Sequence, residues 1–347
     1  MNNTQKFSFL KYDAAYISDP SNLFYLTNYK NDDARIIITK NENLYISDKR
    51  VEEEFKNVCP HFRFVDIGEG GGYVQKSLDC LDNFKIKRIG YEDLSILNHE
   101  YSMFKGFKLL PISKEIQKIR SIKEEKELLL IESAQKITDL VFLKILDFIK
   151  VGISEIELEC FINSQIFLNG GTLAFDTIVA FGQNTSRPHA HPSHNVLRER
   201  DIITIDFGAK YNGYCSDMTR SIAFGKPEND YIYLYQLVLE AQKASLDKLK
   251  AGMSGAECDA LARNYFAKYN MDSYFTHSLG HSLGIDIHEK PLLSRFYKGI
   301  IETNVITSVE PGLYLPNKFG VRIEDIVVFC QDGVRNLTKS PKELIIL

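Results

Sequence analysis

Two stretches 100 residues apart punctuate this chain in the same way, and no other feature constrains its fold as much. Val151-Gly152-Ile153-Ser154-Glu155-Ile156-Glu157 and Ala251-Gly252-Met253-Ser254-Gly255-Ala256-Glu257 each hold a glycine suited to ending one helix and an S-x-x-E box suited to starting the next. In such a box the serine oxygen takes the amide three residues on, and the glutamate reaches back to the serine amide. β-rich sequence follows each helix pair. The second half therefore reads as two similar helix–helix–strand halves about a pseudo-twofold axis.

The strands that close each half carry acids. Ile202-Ile203-Thr204-Ile205-Asp206-Phe207 leads through Asn212-Gly213, a strong hairpin signal, to Tyr214-Cys215-Ser216-Asp217-Met218-Thr219. With Asn212-Gly213 as the turn, Asp217 faces Gly208, and Asp206 is its diagonal neighbour on the same sheet face. In the second half Val305-Ile306-Thr307-Ser308-Val309 ends in Glu310-Pro311-Gly312, and residues 320–329 form the partner strand carrying Glu324. Histidines precede both acid pairs: His189 in the first half, His281 and His288 in the second. His189 and His288 are 99 apart, Asp206 and Glu310 104 apart, and Asp217 and Glu324 107 apart, so the reactive residues repeat along with the helices.

Taken singly, each of these acids reads as a turn or solvated residue, and each histidine as a structural one. Together they need a partner. An unpaired buried carboxylate is costly and becomes protonated, and four gathered carboxylates repel. Two divalent cations cancel four negative charges, and one neutral imidazole completes the set. Oxygen-rich ligands with one imidazole suit manganese, cobalt or iron better than thiolate-type zinc chemistry. Arg220 and Arg322 read as supports for the ligand carboxylates. His191 and His194, in a proline-containing loop, read as exposed.

At 347 residues the chain is long enough for two domains. Residues 1 to about 112 read as a mixed α/β unit, with strands at Ala34-Arg35-Ile36-Ile37-Ile38-Thr39 and Asn43-Leu44-Tyr45-Ile46-Ser47 and a helical stretch from Lys49 to Asn57. The run Gly68-Glu69-Gly70-Gly71-Gly72 lacks the spacing of a dinucleotide loop and opens no clear helix. A boundary falls near Pro111 to Ser121, where Ser121-Ile122-Lys123-Glu124 reads as the capping box of a long helix reaching about Lys150. A net charge of -4 provides no field for nucleic acid or an anionic membrane. The N-terminus has no basic start followed by an apolar run, so no signal peptide is expected. The most apolar helical stretch is broken by Lys144 and Asp147, which argues against a membrane span. Six scattered cysteines without a C-x-x-C pair argue for reduced thiols in a cytoplasmic setting.

From about residue 114 the chain resembles the pita-bread metallopeptidases, which include methionine aminopeptidase, aminopeptidase P and prolidase. The resemblance rests on Pro188-His189, Ile205-Asp206-Phe207-Gly208, Tyr214 to Arg220, His277-Ser278-Leu279-Gly280-His281, Asp286-Ile287-His288-Glu289, Val309-Glu310-Pro311-Gly312 and Gly320 to Asp325, all in family order. Asp19-Pro20-Ser21-Asn22-Leu23-Phe24-Tyr25-Leu26-Thr27 also looks like the leading domain of the proline-specific branch, which methionine aminopeptidases lack. The resemblance implies an α/β (α+β) chain, with a creatinase-like α/β domain at 1–113 and a catalytic pita-bread domain at 114–347. It implies two divalent metal ions, manganese first, with cobalt, iron or zinc as alternatives. Asp206 would chelate one ion, Asp217 and Glu324 would bridge both, and His281 and Glu310 would complete the other. His189 and His288 would contact the substrate and stabilise the tetrahedral intermediate, and His277 would line the pocket. A metal-bridging hydroxide would attack the carbonyl before proline. The resemblance also suggests a homodimer acting on proline-containing peptides.

Prolidases of this kind commonly carry arginine in H-E-x-P-R to hold a free carboxylate. Here the run is His288-Glu289-Lys290-Pro291-Leu292, which favours an Xaa-Pro aminopeptidase over an Xaa-Pro dipeptidase. Two other classes are a non-catalytic binding protein on this fold, which would lack one or more ligands, and a creatinase-like hydrolase, which does not use the ligand set.

Overall fold

Gly152 and Gly252 adopt left-handed backbone at φ +91° and +93°, a conformation that costs glycine little and side-chain-bearing residues more. Both capping boxes form with the same dimensions. The serine Oγ accepts the amide of Glu157 or Glu257 at 3.2 Å, and the glutamate accepts the serine amide at 2.7 Å. They start the helices Glu155–Leu168 and Gly255–Ala267, which follow the helices Glu125–Phe148 and Asn229–Leu246. A returning segment is stitched to each helix start. Gly152 and Ile156 donate to the carbonyls of Leu197 and Ser193, and Gly252 and Ala256 donate to those of Ile301 and Tyr297.

The repetition extends into the sheets. Ile202–Phe207 pairs antiparallel with Met218–Ala223 and with Ile178–Phe181, and Ile306–Val309 pairs with Asp325–Cys330. Each hairpin then breaks and resumes. In the first half Ala209–Tyr211 pairs with Tyr214–Cys215 around Asn212-Gly213, whose φ angles of +45° and +86° give the turn expected of that dipeptide. In the second, Gly312–Leu315 pairs with Phe319–Arg322. The single partner strand expected over 320–329 is therefore two strands, with Ile323 and Glu324 in the gap. Pro311 opposite them has no N–H to continue the ladder.

A separate apolar core underlies each half. One includes Val141, Phe142, Ile145, Ile203 and Ile205, and the other Leu234, Val238, Val309 and Val327. Each such side chain contributes about 1.5–3 kcal/mol on burial.

This computed structural model describes residues 3–69 and 72–347, and the chain divides into two compact units, Met1–Arg120 and Ser121–Leu347. The first contains a six-stranded sheet in the spatial order Arg63–Asp66, Asn43–Ser47, Ala34–Thr39, Ala14–Ile17, Arg88–Tyr91, Lys108–Pro111. Two expectations need correction. A helix, Tyr73–Asn83, does follow Gly72, and Val74, Leu78 and Leu81 along one face pack on the sheet core; Gly70 and Gly71 lie outside the described residues. Ser121 ends the helix Ser113–Ser121 rather than capping the next one. The cap of Glu125–Phe148 is Glu124, in a box with Glu127. Lys123 explains the shift: its amide bonds the Asn304 carbonyl at 3.0 Å and its ammonium is drawn inside to Glu289 at 3.1 Å. The expected boundary between 113 and 114 falls at the start of Ser113–Ser121, whereas the compact units divide near its end.

Candidate metal centre

The register of the first hairpin carries straight through its break. Lys210 pairs with Cys215 and Tyr211 with Tyr214; beyond Gly208, Phe207 pairs with Met218 and Asp206 with Thr219. Gly208 therefore stands across from Asp217. The crossing is tight: a Cβ on Gly208 would lie 2.0 Å from the Ser216 carbonyl oxygen and 2.9 Å from the Phe175 ring. In the second half Glu310 and Glu324 occupy the two sides of the equivalent break. Breaking the ladder turns these carboxylates inward without a gap in the cores.

All eight residues singled out in the sequence, His189, Asp206, Asp217, His277, His281, His288, Glu310 and Glu324, line one cavity of about 310 Å³. His191 and His194 are exposed and do not line it. Asp217, His281 and Glu324 offer ligand atoms within 4.8 Å of one another, a group able to hold a metal ion. The His281 Nε2 atom is 3.6 Å from Asp217 Oδ2 and 3.5 Å from Glu310 Oε1. Its other ring nitrogen, Nδ1, lies 3.2 Å from the Ser282 carbonyl, which leaves Nε2 with its lone pair directed at the acids.

Supporting residues hold these groups in place. Thr219 donates its hydroxyl to Glu324 at 2.6 Å, and Ser308 donates to Glu310 at 3.1 Å. Arg322 donates to Asp206 at 2.6 Å, to the Tyr314 hydroxyl at 2.8 Å, to Thr219 at 2.9 Å and to the Pro188 carbonyl at 3.1 Å. Tyr314 in turn meets His277 Nε2 at 3.0 Å. Arg220, expected to pair with a ligand carboxylate, instead pairs with the neighbouring Asp325 at 2.8 Å and with the backbone carbonyl of Glu324.

Thr219 and Ser308 were legible in principle. Each stands two residues from a site acid, on the same face of a period-two strand. Tyr314 gave no such signal.

The electrostatics of the site run against four free carboxylates. Burial, followed by repulsion from Glu324, Asp206 and Glu310, holds the Asp217 carboxyl well above its usual range. Burial and then Glu310 and Asp206 do the same to Glu324. Glu310 is pushed up to about 7, chiefly by burial. His281 is pushed down to about 4 by burial and by His288, and His277 down to about 3 by burial and then Arg322. Burial also lowers His288. The buried Oδ1 atoms of Asp206 and Asp217 have no hydrogen-bond partner. Unpartnered acceptors beside crowded acids and a neutral imidazole fit the requirements of divalent cations.

Comparison with known proteins agrees with this chemistry. Residues 130–330 match the metallopeptidase family M24, and residues 4–122 match the creatinase/prolidase N-terminal domain. A protein of Bacillus subtilis (strain 168) named uncharacterized peptidase YqhT is 38% identical over 349 residues, spanning 98% of each chain. The Xaa-Pro dipeptidase from Bacillus anthracis has a TM-score of 0.95 at 34% identity, over 100% of this chain and 98% of that one. The X-Pro aminopeptidase from Thermotoga maritima MSB8 has a TM-score of 0.91 at 32% identity, over 97% and 98%. With its repeated halves, its acid-lined centre and these matches, the chain belongs to metallopeptidase family M24, the pita-bread metallopeptidases, as a metal-dependent peptidase carrying a creatinase/prolidase N-terminal domain.

Proposed function

We propose that this exopeptidase removes the residue ahead of proline from peptides that continue beyond the proline, as an Xaa-Pro aminopeptidase. The carrying observation is the cavity wall at Leu292. Of the described residues lining the cavity, Arg322 is the one cationic side chain, and its donors are taken by Asp206, Tyr314, Thr219 and Pro188. Leu292, with Phe175, Ile178 and Ile287, offers an apolar wall suited to a proline ring and no charge suited to a free proline carboxylate. Proline itself makes a dedicated enzyme useful, because it lacks an N–H and proteases that bind substrates as paired strands lose a hydrogen bond there.

In this reading residues 114–347 form the catalytic domain and 1–113 the leading domain. Asp206, Asp217, His281, Glu310 and Glu324 would hold two divalent ions. Such ions, when bound, supply Lewis acidity and an acidified water. His189 and His288 present N–H donors to the carbonyl oxygen as negative charge develops on it, and His277, held by Tyr314, lines the substrate cavity. Manganese is our first choice of ion. We place the protein in the cytoplasm as a homodimer; its six unpaired cysteines favour a reducing compartment, and no described helix is long and apolar enough to cross a membrane.

The second reading, an Xaa-Pro dipeptidase, is favoured by the likeness to the Bacillus anthracis enzyme of that name. Rates on an Xaa-Pro dipeptide and on an Xaa-Pro-Xaa tripeptide, measured with manganese, separate the two. We expect the tripeptide to be preferred, and Leu292→Arg to shift preference toward the dipeptide. A wild-type preference for the bare dipeptide selects the second reading.

A further inference from the structure

The repeated helix starts differ at one position. In the second half, Gly255 lets the backbone come down on the helix: a Cβ there would lie 2.1 Å from the Leu292 carbonyl oxygen. In the first half the same place holds Glu155, whose side chain is wholly buried. Burying a carboxylate costs several kcal/mol unless hydrogen bonds satisfy it. Here they all come from one stretch of chain. Oε1 accepts from the Phe181 amide at 2.8 Å, Asn184 Nδ2 at 2.7 Å and Asn195 Nδ2 at 3.3 Å. Oε2 accepts from the Ser193 amide at 3.0 Å and the Ser193 hydroxyl at 2.5 Å. The helix start also favours the negative charge.

These donors bracket His189. The stretch from 187 to 195 has no helix or strand of its own, and His189 is exposed within it at the cavity edge. Its near side is held from the second half: Gly320 donates its amide to Thr185 Oγ1 at 3.0 Å, and Arg322 donates to the Pro188 carbonyl at 3.1 Å. Its far side, at Ser193 and Asn195, is held by the Glu155 carboxylate and also by backbone, the amides of Glu155 and Ile156 donating to the Asn195 and Ser193 carbonyls at 3.0 and 3.2 Å.

We propose that Glu155 is a positioning residue. Its carboxylate occupies, in the first half, the place where the Leu292 carbonyl approaches Gly255 in the second, and it adds to the backbone bonds that both halves share in fixing the segment that carries His189 at the cavity edge. The inference rests on the substrate-contacting role proposed above for His189.

The test joins a double-mutant cycle to hydrogen–deuterium exchange on the manganese-loaded, full-length protein. Glu155→Gln keeps the shape but turns one acceptor into a donor facing donors. It should lower kcat by about 10- to 100-fold with little change in KM. In a His189→Ala background the same change should cost less than about twofold, because Glu155 acts through that histidine. Amides of residues 188–195 should exchange at least about tenfold faster, while those of the helix Glu125–Phe148 stay protected. Multiplying losses in the double mutant, or unaltered exchange over 188–195, overturns the proposal. Should the wild type hydrolyse no proline peptide, the functional reading fails on its own and the exchange measurement still decides whether Glu155 fixes the segment. Should Glu155→Gln not fold, Ser193→Ala removes one bond from the loop side, and a smaller change of the same sign in both readouts is the supporting result; no change is the overturning one.

Discussion

At the scale of single residues, Asp217 concentrates the site's conflict. It is buried, one of its oxygens has no partner, and three carboxylates repel it. Asp217→Asn should therefore have opposite effects on activity and on metal-free stability. Hydrolysis should fall by about 1,000-fold or more, since a proposed metal ligand is lost. The metal-free protein should melt higher than metal-free wild type, by about 2–4 °C, because asparagine removes the cost of keeping a buried, crowded acid either charged or protonated. Manganese should then raise the melting temperature less than in wild type. Steady-state rates and paired melting curves check this, and retained activity would remove Asp217 from the ligand set. The residues of this centre were legible because acids in apolar strands demand an explanation and because their spacing repeats. Arg220 was misread because an arginine's choice among adjacent carboxylates, here Asp325 over its neighbour Glu324, depends on side-chain directions that spacing does not encode.

At the scale of elements, the broken hairpins matter most. Asn212-Gly213 announces the first one, and the register it implies puts Asp217 opposite Gly208 from the sequence alone. The break in the second hairpin was less visible, since residues 320–329 read as one strand and only Pro311, on the opposite strand, hinted otherwise. The helix Tyr73–Asn83 was missed because glycines before it masked a plain apolar face at Val74, Leu78 and Leu81. The displaced cap of Glu125–Phe148 follows from a tertiary pull on Lys123, which no local box reports.

The tight crossing supplies a prediction. Gly208→Ala should cost about 3 kcal/mol or more and abolish hydrolysis, since the added methyl meets backbone oxygen. Gly152→Ala, with open space around it, should cost only about 1 kcal/mol through its positive φ. Denaturant midpoints of the two variants provide the comparison, and equal midpoints would contradict the crossing.

At the scale of the whole molecule, the centre links metal, protons and stability. The buried His277 and His281 titrate at about 3 and about 4, below the 6.5 of an unfolded histidine, so they withdraw stability as pH falls below 6.5. As pH rises past 6.5 those histidines lose their protons in the unfolded chain as well, and the acids dominate. Glu310 at about 7, with Asp217 and Glu324 also raised, keeps protons that the unfolded chain has already lost. When the native state holds more protons, stability falls as pH rises. Metal-free protein should thus melt progressively lower from pH 6.5 to about 8. Saturating manganese should cancel that decline, because the ions displace the same protons. Thermal melts across this range, with chelator and with manganese, give the answer; parallel curves would mean that the ions do not occupy the acid cluster.

Asp206 and Asp217 belong to one repeated half, and His281, Glu310 and Glu324 to the other. Each half has its own oily interior, although Ile202 and Ala223 of the first half's strands also join the core of the second. On the proposed ligand set, neither twin alone supplies a full coordination sphere. On that reading the centre is a rivet through the seam between them.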